Sequence, residues 1–313
     1  RHARGRGVQP TTAASYNPAF DGLRTIAVYL VLAFHAGWSI FGSGYVGVDI
    51  FFVLSGFLIT GLLLREYRTA GRVNVPRFYA RRMRRLLPAS LIVLTLGLAA
   101  TLTVADPLDR DMTIDDARSA MLWIANWHFI SEGNDYFSAD HTSPFLHFWS
   151  LSVEEQFYLF WPALLIGVFA FAVRKRLRRE GLLLLTSGVL IAVSIALAFM
   201  FSDDDPLRAY YGTETRIYQL LAGGMLAMLI AEGTRVRRSL VWVRLQWLAF
   251  AGVVFLAVGP VDLSLTMRGV LITVATTLLI LSLDALPGGP LASLLARRPM
   301  AALGRISYGT YLW

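Results

Sequence analysis

Nine apolar runs follow one another along this chain: 22–40, 46–64, 86–105, 146–173, 181–201, 212–231, 240–258, 268–285 and a shorter one at 301–313. A helix needs about 20 apolar residues to cross a bilayer core. In lipid every backbone N–H and C=O must be bonded internally, which leaves helices or a closed barrel. A barrel would show ~10-residue segments of alternating polarity, and these runs do not alternate. Of the 313 residues 56% are hydrophobic and only 16% charged, where a soluble domain holds about a quarter charged residues. The expected fold is all-α, a polytopic transmembrane helix bundle of about nine spans.

Charge then sets the topology. Basic clusters at 65–85, 174–179, 235–238 and 297–305 follow alternate runs, and the loops between them are acidic or neutral. Lys and Arg collect in cytoplasmic loops. The basic segment 1–20 is thus expected in the cytoplasm, followed by one transmembrane domain over 21–313. The same counting keeps 113–130 outside. That stretch carries Asp115, Asp116, Arg118, Asn126 and His128, and it reads as an external amphipathic helix with Trp123 and Trp127 at headgroup level. The net charge of +8 follows from this distribution, so membrane lipids are expected partners and nucleic acid is not. No cysteine is present, which excludes disulfides and thiolate chemistry. Residues 1–15 show no signal-peptide core. The chain starts without Met and stops inside an apolar run, so we expect a fragment of a longer product with C-terminal spans missing.

Ionisable residues within apolar runs are costly in lipid and mark candidate sites. Arg24 and His35 share the first run, and a helix would separate them by roughly 16 Å. That is about the reach of a long, thin cofactor arm with its polyanionic end at Arg24 and its reactive end at His35. Arg24 could instead snorkel to the interface, and His35 could bond a neighbouring helix. As a functional group, His35 would act as a general base or a transient acyl carrier. Asp21 reads as a helix N-cap. In the second run Asp49 would orient His35 or cap its own helix. Ser55 lacks a G-x-S-x-G setting and reads as a packing serine.

Further along, Arg82 and Arg85 fall on one face if their segment is helical, and guanidinium forks suit phosphate; the alternative is a basic anchor on anionic lipid. The segment from His147 to Tyr158 carries Glu154 and Glu155 inside an apolar helix. Adjacent positions point about 100° apart, so one carboxylate is expected to face a cavity. Contact between that carboxylate and His35 fits their similar depths. Arg216 would pair with Glu154 or Glu155, or meet substrate directly. No spacing supports a metal site or a Walker or Rossmann loop.

The segments GLRTIAVYLVLAFH, GVDIFFVLSGFLIT, RRMRRLLP, HFWSLSVEEQFYLFWP and ISYGTYLW together resemble the acyltransferase-3 family of integral membrane O-acyltransferases. The likeness spans nearly the whole chain, in the family's order. It implies an acyl-CoA co-substrate, usually acetyl-CoA, taken from the cytoplasm. The implied acceptor is a hydroxyl of a glycan or glycolipid at the external face of a bacterial inner membrane. By the same resemblance Arg24 and His35 match the family's Arg-x10-His pair, Arg82 and Arg85 its cytoplasmic R-x-x-R, and Glu154 and Glu155 its acidic pair. His147 opens that fourth-run motif and is grouped with Asp49, Ser55 and Arg216 as substrate-contacting or supporting. Many members carry an external SGNH-type domain, so a fused or separate one is a candidate partner. The rival function is a glycolipid transporter or flippase using the same buried charges, and a non-catalytic scaffold is a third reading.

Overall fold

The computed structural model describes residues 16–104, 107–137, 143–232, 239–259 and 261–313, with only the backbone of 107–109. Segment 1–15 and the basic cluster at 235–238 lie outside the described residues. Within them every regular element is helical: α1 (Ala19–His35), α2 (Gly47–Ala70), α3 (Val75–Val104), α4 (Pro107–Met121), α5 (Ala125–Ser131), α6 (Phe148–Lys175), α7 (Arg179–Asp204), α8 (Pro206–Tyr211), α9 (Thr213–Ala231), α10 (Leu240–Val258), α11 (Leu265–Ala285), α12 (Pro290–Leu295) and α13 (Arg298–Leu312). Two short 3-10 turns link α1 to α2.

Each of the nine apolar runs becomes a helix, but the nine are not alike. Six are long and apolar enough to cross a membrane: those at Gly44–Ala70, Val75–Val104, Phe148–Lys175, Arg179–Asp204, Leu240–Val258 and Leu265–Ala285. This is a multi-pass membrane protein. The other three, α1, α9 and α13, have 17, 19 and 15 residues. α1 and α9 are largely buried within the bundle. Their neighbours are protein rather than lipid, so they can be shorter and carry Asp21, Arg24 and Arg216.

α2 is the central helix, and α3 and α7 lie at the periphery. Glycine lets α9 press against α2. A Cβ at Gly56 would collide with the Leu220 carbonyl, and one at Gly223 with the Val53 carbonyl. Small residues permit such close crossings in membranes. α6 runs beside α2 in the same direction, as Ser55–Glu154, Thr60–Trp161 and Tyr67–Phe169 contacts show. The two helices thus hold side chains of matching depth.

Two boundaries differ from expectation for local reasons. Gly71, at φ +69°, stops α2. Asn74 then accepts the Arg77 N–H at 3.0 Å and starts α3 eleven residues ahead of the expected 86, so the arginine run is helical. The 113–130 segment is two helices rather than one, broken at Trp123, whose φ is +60°. Trp127 is exposed, whereas Trp123 reaches into the bundle.

Candidate active site

A cavity of about 310 Å³ lies between α1, α2, α3, α6 and α13. Its wall on α2 runs from Val48 to Arg65, some 25 Å at ~1.5 Å rise per residue. The cavity is therefore long and thin. Arg24, Arg65 and Arg85 stand toward one end, and Ser150 and Tyr311 form the other.

At mid-depth the wall is a dense polar cluster. Arg82 pairs with Glu155 at 2.9 Å and stacks on the Tyr158 ring, 3.2 Å from its centroid. Glu154 accepts short hydrogen bonds from the Ser55 and Tyr158 hydroxyls. Both carboxylates line the cavity, where one was expected, because Arg82 neutralises the outlying one. Ser55 is thus a cavity residue, not a packing serine. Arg82 is committed to its acid, and its Nε is buried without a partner. Arg24 is held by Asp21 at 3.1 Å. Asp21 also accepts from Tyr16 and does not cap α1, whose cap position is Pro18. Arg85 makes no ion pair among the described residues and shares the electrostatic field of Arg24 and Arg82.

Three expected partnerships do not form. Glu154 and Glu155 do not reach His35; they are bound to Ser55, Tyr158 and Arg82. Asp49 neither orients His35 nor caps α2. It is buried and paired with Arg216, with Gln219 donating at 2.8 Å. Arg216 consequently has no contact with Glu154 or Glu155. The reason is register: Arg216 and Gln219 lie one turn apart on α9, on the face that crosses α2 at Asp49.

His35 ends α1, is exposed, and does not line the cavity. Its Nδ1 donates to the Val31 carbonyl at 2.9 Å, which leaves Nε2 as the basic nitrogen. The ring meets Phe34 and Tyr136 edge-on, with centroids 5.2 and 5.4 Å away. The His147 ring lies 6.0 Å from that of Tyr311. Burial pushes His147 down to about 4, with His35 adding to the effect and the Leu312 backbone carbonyl opposing it. It is neutral at pH 7, and its Nε2 is buried without a partner. No group of three or more metal-ligating side chains occurs among the described residues.

Sequence reasoning missed Tyr158, Ser150, Arg65 and Tyr311. Tyr158 was within reach, because it follows Glu154 by four residues and so shares its helix face. Tyr311 had no such signal, since α13 meets α6 only in the folded bundle.

A family model for the acyltransferase domain of the acyltransferase-3 family matches residues 17–313. The chain belongs to this family. Over 306 residues, 95% of this chain and 50% of the relative, it is 34% identical to the O-acetyltransferase OatA of Staphylococcus aureus. It is 36% identical over 313 residues to the putative peptidoglycan O-acetyltransferase YrhL of Bacillus subtilis, covering 95% of this chain and 48% of the relative. The peptidoglycan O-acetyltransferase OatA of Listeria monocytogenes is 32% identical over 306 residues, with 95% and 49% covered. The chain spans about half the length of these relatives. No solved structure matches it. In this chain Arg24 on α1, Arg82 and Arg85 on α3, and Glu154 and Glu155 on α6 all line the elongated cavity.

Proposed function

We propose that this chain is the membrane-embedded transfer domain of an O-acyltransferase. It takes an acyl group, acetyl in the simplest case, from acyl-CoA and passes it toward a hydroxyl of a cell-envelope glycan. The relatives named as peptidoglycan O-acetyltransferases support peptidoglycan as that glycan. The observation that carries this reading is the thin cavity with guanidinium groups at one end and two hydroxyls at the other. Arg24 and Arg85 suit the phosphates of a CoA-type donor, with Arg82 held alongside by Glu155. The apolar α2 face, with Phe51, Leu58 and Leu62, suits its uncharged arm.

The basic end faces the cytoplasm of a bacterial inner membrane and the N-terminus lies on that side, a reading supported by the arginines that cluster there. The hydroxyl end faces outward. Acceptor approaches from that side, and His35 Nε2 takes the proton of its attacking hydroxyl. The Val31 carbonyl, rather than a carboxylate, fixes the imidazole tautomer. A fused or separate external domain would receive or deliver the acyl group beyond the membrane.

The test uses purified protein in nanodiscs with labelled acetyl-CoA and a soluble peptidoglycan fragment. CoA release and ester formation are both expected. His35→Ala should abolish transfer and leave CoA binding intact. Undiminished turnover by that variant would remove His35 from the mechanism, and label that crosses the bilayer unreacted would favour transport.

A further inference from the structure

The far end of the cavity is closed by two hydroxyl groups that the mechanism above does not use. Ser150 Oγ and the Tyr311 hydroxyl oxygen lie 2.7 Å apart. Both also approach the backbone carbonyl of His147, at 3.2 and 3.3 Å. Two hydroxyl protons thus serve three contacts, and the two to the carbonyl are long for O–H donors. Ser150 is buried, and both residues line the cavity. Ser150 is the third residue of α6, so the positive end of a 28-residue helix dipole points at the same spot.

The geometry points to Ser150 and Tyr311 as the oxyanion site of the transfer reaction. This rests on the function proposed above. Two oxygens 2.7 Å apart can both lie 2.7–3.1 Å from a third, the arrangement an oxyanion needs. A donor held by the arginines at the opposite end directs its thioester here. As the acceptor oxygen bonds to the carbonyl carbon, its proton passes to the base on the acceptor side and the carbonyl oxygen becomes negative. Both hydroxyl protons then turn from their resting contacts, the Ser150–Tyr311 bond and the His147 carbonyl, to that oxygen. Collapse breaks the C–S bond, the sulfur leaves and recovers the proton that the base took up, and ester and free CoA thiol result. The weak resting bonds hold the hydroxyls in place and are given up readily, so the site is preorganised without being locked.

Tyr311→Phe and Ser150→Ala test this in the nanodisc assay. Each should lower kcat about a hundredfold while KM for acetyl-CoA and affinity for CoA stay within about twofold, the signature of an interaction made only in the transition state. Ser150→Thr keeps the hydroxyl and should retain most activity. Unchanged kcat in both variants overturns the assignment. So does a loss matched by equally weakened CoA binding and not rescued by Ser150→Thr, which would make the pair a structural closure. If wild-type protein releases no CoA in the presence of acceptor, the function proposed above falls first, and this site with it.

Discussion

Asp49–Arg216 and Glu155–Arg82 are built from the same chemical groups, in neighbouring parts of one bundle, and they differ in what surrounds them. Asp49 and Arg216 are buried between α2 and α9, with Gln219 also donating to the carboxylate and only a small cavity of about 90 Å³ beside Arg216. Glu155 and Arg82 line a cavity, with Glu154, Ser55 and Tyr158 alongside. A closed pair of buried charges ties two helices in one register, since neither charge tolerates losing the other. An open pair can trade part of its bonding for a ligand. The two pairs thus differ in the room beside them, about 90 Å³ next to Arg216 and about 310 Å³ next to Arg82 and both glutamates.

The comparison predicts opposite phenotypes. Asp49→Ala leaves the Arg216 guanidinium buried and uncompensated, which should destabilise the fold by about 3–5 kcal/mol. Thermal melts in detergent read this directly. A melt within a degree or two of wild type would mean that the pair is not sealed.

On the cavity side the effect should fall on ligand instead. Arg85 makes no ion pair among the described residues, so Arg85→Ala should leave the melting temperature unchanged and weaken CoA binding about tenfold, the value of one charge-assisted hydrogen bond. Equilibrium binding measures it. Unaltered affinity would reassign Arg85 to the lipid headgroups.

The smallest effect separates His147 from both clusters. Its folded value of about 4 lies below the ordinary 6.5. Between those values the unfolded chain binds a proton that the folded chain does not, so stability falls as pH drops through that window and is full above it. Melts at pH 7 and pH 5 should differ less in His147→Gln than in wild type. Equal slopes would mean that His147 is hydrated and able to take a proton.

Much of the site was legible in the linear order of residues. Arg24, Arg82, Arg85, Glu154 and Glu155 could be singled out because charge inside an apolar run is expensive wherever it falls, and all five line one cavity. The expectation that His35 would touch a glutamate failed because similar depth in two helices says nothing about which faces meet. Arg216 was matched to the wrong acid for the same reason, and Asp49 was free to take it.

Hydrophobic run length and charge placement, which act through solvation alone and need no knowledge of neighbours, determined that this chain is a multi-pass helical protein with a basic side. Only the packed bundle decided which acid meets which arginine, that Ser150 and Tyr311 close one end of a 25 Å passage, and that His35 stands beyond them. Those outcomes depend on helix rotation and crossing, set by contacts such as Gly56 on Leu220 and Gly223 on Val53, whose partners lie more than a hundred residues apart.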